Sequence, residues 1–336
     1  SSPKTKLKRV SVIVNPMAKS LANGTHHLEE IVLALQEVGI QAEVGLKASG
    51  KVARRLARVA VERRDPLVIV VGGDGTIEDV VPELVNSSTA LGILPLGNMN
   101  NLARSLGVPF DLHQACLLLS MGTTRHIDVG RIVQTGDTPA AYFLAMAGGG
   151  LSPLAAPMGQ DVEKGHWTAL LGKLGRIFTA QAIGLTITLD EAEALQVKTH
   201  VVTLSNAPLF GNNLLLAPHA KLDDGWLDLA FYEGMDKLAL EAYFLQLSSD
   251  KPVNEARVHF QRVRSVRITA VEPLAANADL TVLPKQLSWK IEVLPGALAV
   301  VAGNGTALTL PVAAAPPPPP LSGPPPTPDQ RGSSNG

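Results

Sequence analysis

Residues 72–76 read Gly72-Gly-Asp-Gly-Thr76 and directly follow the uncharged, β-branched run Leu67-Val-Ile-Val-Val71. Glycines at such a turn let the backbone come close to a ligand and point successive N–H groups at it, and the helix opening there adds a partial positive charge. Phosphate is the ligand that suits those donors. Thr76 is placed to cap the helix or to bond a phosphate oxygen. Asp74 is out of character in an anion cradle, because bare phosphate repels a carboxylate; it fits if it holds Mg2+ or a hydroxyl of a nucleotide. Two further loops have the same character. Asn15-Pro16 closes Val10-Ser-Val-Ile-Val14, and Gly97-Asn-Met-Asn-Asn101 leaves Leu91-Gly-Ile-Leu-Pro95. If the three runs are parallel strands, the loops converge at one carboxyl edge, where open α/β sheets bind ligands. Lys19, in the first loop, is within reach of a phosphate there. No Walker-type Gly-Lys-Ser/Thr is present, and no Gly-x-Gly-x-x-Gly occupies the first turn.

Other chemistries find little support. His26 and His27 are adjacent and so point apart on a helix, and the remaining six histidines show no i, i+4 pair. There is no Gly-x-Ser-x-Gly elbow. The single cysteine, Cys116, sits in Ala115-Cys-Leu-Leu-Leu119 and is expected in the core. One cysteine excludes an intrachain disulfide framework and favours a reducing, cytoplasmic compartment.

The elements that must position these loops follow from hydrophobic periodicity. Helices are predicted over His27–Val38, Val52–Arg63, Ile77–Val85 and Leu102–Leu106, and a strand over Ile40–Leu46. Pro82 should bend or restart the third helix. Strands alternating with helices over the first 125 residues make a doubly wound α/β domain. The rhythm then changes. Strands are predicted at Ile127–Val133, Tyr142–Ala147, Leu185–Leu189, Thr199–Ser205, Leu227–Tyr232, Val263–Thr269 and Lys290–Val293, with helices at about 167–182 and 236–248. This pattern predicts a mostly antiparallel β-sandwich or open barrel.

Composition agrees. A chain of 336 residues with 46% apolar and 4% aromatic residues suggests two domains with cores of Val, Leu, Ile and Ala. The net charge of −1 supplies no bulk positive field for nucleic acid or anionic lipid. Ten of the 25 prolines fall in 311–336, which is predicted to be an extended or disordered tail. The uncharged stretches 138–160 and 293–315 are broken by Gly and Pro, so no membrane span is expected, and no signal peptide is visible.

In order and spacing, these pieces resemble the diacylglycerol kinase catalytic-domain superfamily, on the bacterial side that includes diacylglycerol and sphingosine kinase relatives. The resemblance runs from about 7 to 303. It rests on Val14-Asn-Pro16, Gly72–Thr76, Pro95-Leu-Gly97 with Asn100–Arg104, Ile127-Asp128, Gly150-Leu151, Ala217-Pro218 with Ala220 and Asp224-Gly225, and Leu294–Leu298. It implies an NAD-kinase-like nucleotide domain at 7–125, a β-rich lipid-acceptor domain at 126–303, and ATP-dependent phosphoryl transfer to the hydroxyl of a diacylglycerol, sphingoid base or related lipid. The implied nucleotide contacts are Asn15, Gly72, Gly73, Asp74, Gly75, Thr76, Ile77, Glu78, Asp79, Asn98 and Asn100. Asp74 and Asp279 are the implied catalytic residues. A Mg2+ is implied near Asp224, with main-chain oxygens of Lys221 and Trp226.

The departures carry equal weight. The family usually ends its site with Asp-Gly-Glu, whose glutamate is the general base. Here the stretch is Asn277-Ala-Asp-Leu-Thr-Val282, so Asp279 keeps the first position while Thr281 or Val282 replaces the base. Asn98 stands for Thr or Ser, Glu78-Asp79 for Asn-Glu, Asn101 for the Asp of some members, and Ser152 for an Asp. Two alternatives therefore stand beside the kinase: a non-catalytic nucleotide- or lipid-binding member, and an NAD kinase. The expected setting is cytoplasmic, with transient peripheral contact at a membrane surface, no nucleic acid partner, and a homodimer left open.

Overall fold

The computed structural model describes residues 8–133, 139–149, 182–190, 192, 194–210, 214–215, 217–247 and 257–303. Gly150-Leu151, Ser152, nearly all of the predicted helix at 167–182 and the proline-rich tail lie outside the described residues.

Four short aliphatic strands open the chain: β1 (Lys8–Val14), β2 (Ile40–Leu46), β3 (Leu67–Gly72) and β4 (Ala90–Pro95). They pair in parallel in the order β2-β1-β3-β4. Parallel neighbours need crossovers. These are α1 (Lys19–Ala22), α2 (Leu28–Glu37), α3 (Gly50–Glu62) and α4 (Asp74–Leu84), with α5 (Asn101–Ser105) and α6 (Leu112–Met121) after β4. Alternate strand residues face opposite sides. Ile13, Val68, Val70 and Ile93 pack with α3 and α4, whereas Val12, Val14, Ile69 and Val71 pack with α2 and α6. Helices on both faces make the sheet doubly wound, as predicted. Cys116 is fully buried on α6, and burial pushes its thiol up to about 11, so it is core.

The second half comprises β5 (Thr123–Val133), β6 (Ala141–Phe143), β7 (Met146–Gly149), β8 (Ile183–Leu189), β9 (Ala194–Thr199), β10 (Val202–Ser205), β11 (Leu209–Phe210), β12 (Leu214–Leu215) and β13 (Leu227–Tyr232). After α7 (Lys237–Leu247) come β14 (Val258–Val263), β15 (Ser265–Leu274), β16 (Ala276–Ala278), β17 (Thr281–Val282) and β18 (Gln286–Ala302). One antiparallel sheet runs β14-β13-β10-β7-β16-β17. Its apolar residues, such as Leu204, Leu229 and Val263, share a core with Ile187, Ile268 and Trp289 of β8, β15 and β18, giving the expected sandwich.

Three predicted strands are each two strands that change sheets. Tyr142–Ala147 divides at Leu144-Ala145, Thr199–Ser205 at His200-Val201, and Val263–Thr269 at Arg264. Apolar side chains continue through such corners, so periodicity does not mark them. β18 is far longer than the Lys290–Val293 segment predicted. It pairs with β15 and β5, then reaches β4 in parallel at Val300↔Leu91, joining both halves in one ten-stranded sheet. Where the β5–β18 register shifts, Asp128 accepts the N–H groups of Gly296 at 2.8 Å and Gly225 at 2.6 Å.

Candidate active site

The glycine turn is tighter than predicted. Gly73 is the N-cap of α4, so Asp74, Gly75 and Thr76 already form its first turn, and the helix continues through Pro82 to Leu84 without restarting. The Thr76 and Ile77 N–H groups donate to the Gly73 carbonyl at 3.0 and 3.2 Å, and the turn is pressed against the loop after β4. A Cβ on Gly97 would lie 2.3 Å from the Gly73 Cα, a separation only glycine permits. Gly97 N–H donates to the Gly72 carbonyl at 3.1 Å. Asn100, at φ +53°, donates from Nδ2 to the Pro95 and Gly97 carbonyls, both at 3.1 Å. From the first loop, Asn15 Nδ2 donates to Thr76 Oγ1 at 3.2 Å, while Asn15 Oδ1 accepts the Met17 N–H at 3.0 Å.

These contacts shape a cleft of about 620 Å3, within the range of small-molecule sites, lined by Asn15, Gly73, Asp74, Gly75, Thr76 and Asn98 among others. The other residues expected at the nucleotide sit elsewhere. Gly72 ends β3 beneath Thr76, and Asn100 lies buried under its own loop as a staple. Asp79 pairs with Lys47 at 2.7 Å. Ile77 and Glu78 face a different space. Lys19 lines the cleft as expected. Lys47 lines it too and was missed by motif reading; its position just past the carboxyl end of β2 is the signal that could have found it, under the same edge rule that located the other loops.

Beside the cleft lies a narrow slot of about 30 Å3, mostly apolar, into which Asp74, Glu78 and Asp279 all face. That volume admits a hydroxyl-sized group. Asp74 and Leu280 line both spaces. Asp74 is not left facing phosphate alone: its oxygens accept the Asn101 and Leu102 N–H groups at 3.0 and 3.2 Å, so it caps α5 and ties the two loops together. Burial pushes its carboxyl up, while those amides and Arg104 pull it down.

Asp279 sits at φ +47° after β16 and faces the slot, outside the cleft lining. Its Oδ2 accepts the Leu144 N–H at 2.7 Å, and its Oδ1 accepts those of Ala145 and Met146, both at 2.9 Å. It therefore holds the β6–β7 corner, which Asn206 clamps as well by donating to the Leu144 carbonyl at 3.0 Å. Oxygens so occupied have little capacity left for a further proton donor. Glu78 reaches the same segment from the second turn of α4. Its Oε1 accepts the Leu280 N–H at 3.1 Å and its Oε2 accepts the Thr281 hydroxyl at 3.3 Å. Burial first, and then the charges of Asp279 and Asp74, hold the Glu78 carboxyl well above the usual carboxylate range.

The turn implied to hold Mg2+ is differently arranged. Asp224 Oδ1 accepts the Trp226 N–H at 3.1 Å, and Oδ2 is paired with Arg262, which with Arg264 stacks on the Trp226 ring at 5.5 and 4.6 Å. Lys221 is exposed. As arranged, a guanidinium occupies the one carboxylate of the set, so the Asp224 oxygens are committed to Arg262 and the Trp226 N–H rather than left open to a cation.

The model of the diacylglycerol kinase catalytic domain matches residues 9–132, and that of the YegS C-terminal NAD kinase beta sandwich-like domain matches 160–302. A relative from Salmonella gallinarum named "Probable lipid kinase YegS" is 30% identical, over 81% of this chain and 89% of its own. "Probable lipid kinase YegS-like" of Chromohalobacter salexigens is 29% identical over 84% and 90%, and the "Diacylglycerol kinase" of Bacillus subtilis is 26% identical over 81% and 89%. A crystal structure of a diacylglycerol kinase from Bacillus anthracis shares the fold, with a TM-score of 0.69 at 23% identity over 90% of this chain and 99% of that one. With both halves matched and a 30% identical relative covered over most of its length, the chain belongs to the diacylglycerol kinase catalytic family and carries the YegS type of C-terminal domain.

Proposed function

We propose that this protein transfers the γ-phosphate of ATP to the hydroxyl of a lipid, a diacylglycerol, sphingoid base or related molecule. The observation that carries the reading is the junction at Asp74 and Leu280, where the phosphate-type cleft opens onto a hydroxyl-sized, mostly apolar slot. The N-terminal end of α4, with Lys19 and Lys47, receives the phosphates from one side. Mg2+ enters with ATP as counterion to its phosphates. The acceptor hydroxyl arrives from the slot, in line for displacement at the γ-phosphorus. A lipid acceptor requires contact with a membrane surface, transient and peripheral in this reading; among the described residues no helix is long and apolar enough to cross one.

The test is a panel of diacylglycerols and sphingoid bases in detergent micelles with γ-labelled ATP and Mg2+. Labelled lipid is expected from the wild type and not from Asp74→Ala. Equal signal from both, or label passing to NAD in preference to any lipid, contradicts the reading.

A further inference from the structure

Phosphoryl transfer to a hydroxyl leaves a proton to be removed, and the glutamate expected for that task is absent at Thr281 and Val282. Asp279 is committed to three backbone N–H groups and Asp74 to two. Glu78 has one fixed amide and one hydroxyl that is free to rotate about its own bond. It is thus the least saturated of the three carboxylates facing the slot. It also accepts from the backbone of Leu280 and the side chain of Thr281, so a carboxylate reaches the segment that lacks its glutamate from a helix about 200 residues earlier in the chain.

Resting on the kinase reading above, we infer that Glu78 is the general base of this chain and takes the proton of the acceptor hydroxyl. As the acceptor oxygen bonds to the γ-phosphorus, its proton passes to a Glu78 oxygen. The bond between the γ-phosphorus and the β,γ-bridging oxygen breaks, ADP leaves with that electron pair, and no oxidation state changes. Asp279 from the turn after β16 and Asp74 from α4 face Glu78 with negative charge, Arg104 of α5 acts on Asp74, and the Thr281 hydroxyl of β17 donates to Glu78. That environment strengthens Glu78 as a base and delays its ionisation to higher pH.

The experiment compares full-length wild type, Glu78→Gln, Glu78→Asp, Glu78→Asn, and Glu78→Asn combined with Thr281→Glu, using a diacylglycerol and a sphingoid base in micelles. Glu78→Gln is expected to lower kcat by about 100- to 10,000-fold with KM for ATP changed less than about threefold, and to flatten a rise of kcat between about pH 6 and pH 10. Glu78→Asp, which keeps the charge should the amide misfold, is expected to retain that rise at reduced kcat. Moving the carboxylate to position 281 is expected to recover about tenfold over Glu78→Asn. A Glu78→Gln kcat within about threefold of wild type, or a wild-type kcat that does not vary with pH over this range, overturns the inference while leaving the kinase reading standing. No transfer by the wild type to either lipid overturns the kinase reading itself, and this inference with it.

Discussion

Glu78 and Asp279 face the same slot, yet Asp279 is saturated by three backbone N–H groups while Glu78 leans on a segment that lacks its own glutamate. Both carboxyls are raised by burial above their ordinary values. The folded state therefore binds their protons more tightly than the unfolded chain. The stability they contribute is complete at pH below the ordinary carboxylate range and is lost as pH rises through the raised values. Glu78→Gln removes a buried charge, so its melting temperature is expected to exceed that of wild type increasingly as pH rises, even as transfer collapses. Asp279→Asn is expected to behave oppositely, losing about 1–3 kcal/mol because an amide nitrogen cannot accept the N–H it would face at the corner. Thermal melts of the three proteins across pH distinguish these outcomes; a Glu78→Gln melting curve that tracks wild type at every pH would contradict a Glu78 carboxyl raised by burial. In the sequence Glu78 stood as an acid in a first helical turn beside phosphate. Nothing in local pattern brings α4 to residues 280 and 281, so its actual neighbours were invisible there.

At the scale of elements, the site depends on loops held closer than side chains permit. Gly97→Ala inserts a methyl 2.3 Å from the Gly73 Cα, a backbone contact that no rotamer relieves. It is expected to destabilise the protein by about 1–3 kcal/mol and to raise KM for ATP more than it lowers kcat, measured by melts and by steady-state kinetics. An unchanged KM would mean that the Gly73–Gly97 approach does not shape the nucleotide cleft. The strands and helices that carry these loops were legible because Leu67–Val71 and its parallel neighbours are buried on both faces and read as continuous apolar runs. The start of α4 was placed three residues late, since glycines at 73 and 75 look like loop until Gly73 is seen to be a cap. The corners at Leu144, His200 and Arg264 were not legible at all: what bends them is pairing with distant strands and, at Leu144, the carboxylate of Asp279.

For the molecule as a whole, β18 decides how the halves depend on each other. Leu298 and Val300 of β18, with Ile127 and Val129 of β5, complete the core beneath α3 and α4. The uncharged stretch from 293 that raised a membrane question is, up to Ala302, this buried strand. A fragment of residues 8–125 lacks those partners and exposes the edge of β4, so it is expected to melt without cooperativity when followed by far-ultraviolet dichroism. A cooperative melt of that fragment near the full chain's temperature would show that the halves are independent. The same joining brings Asp279 and Leu280 from the second half to Asp74 and Glu78 from the first, so the slot is lined by residues of both halves. The most direct test of the account is ADP release with and without a micellar diacylglycerol or sphingoid base, followed alongside the phosphorylated lipid. Lipid-dependent ADP release matching phosphorylated lipid one for one is predicted; ADP release that is indifferent to lipid, with no phosphorylated lipid formed, would contradict it.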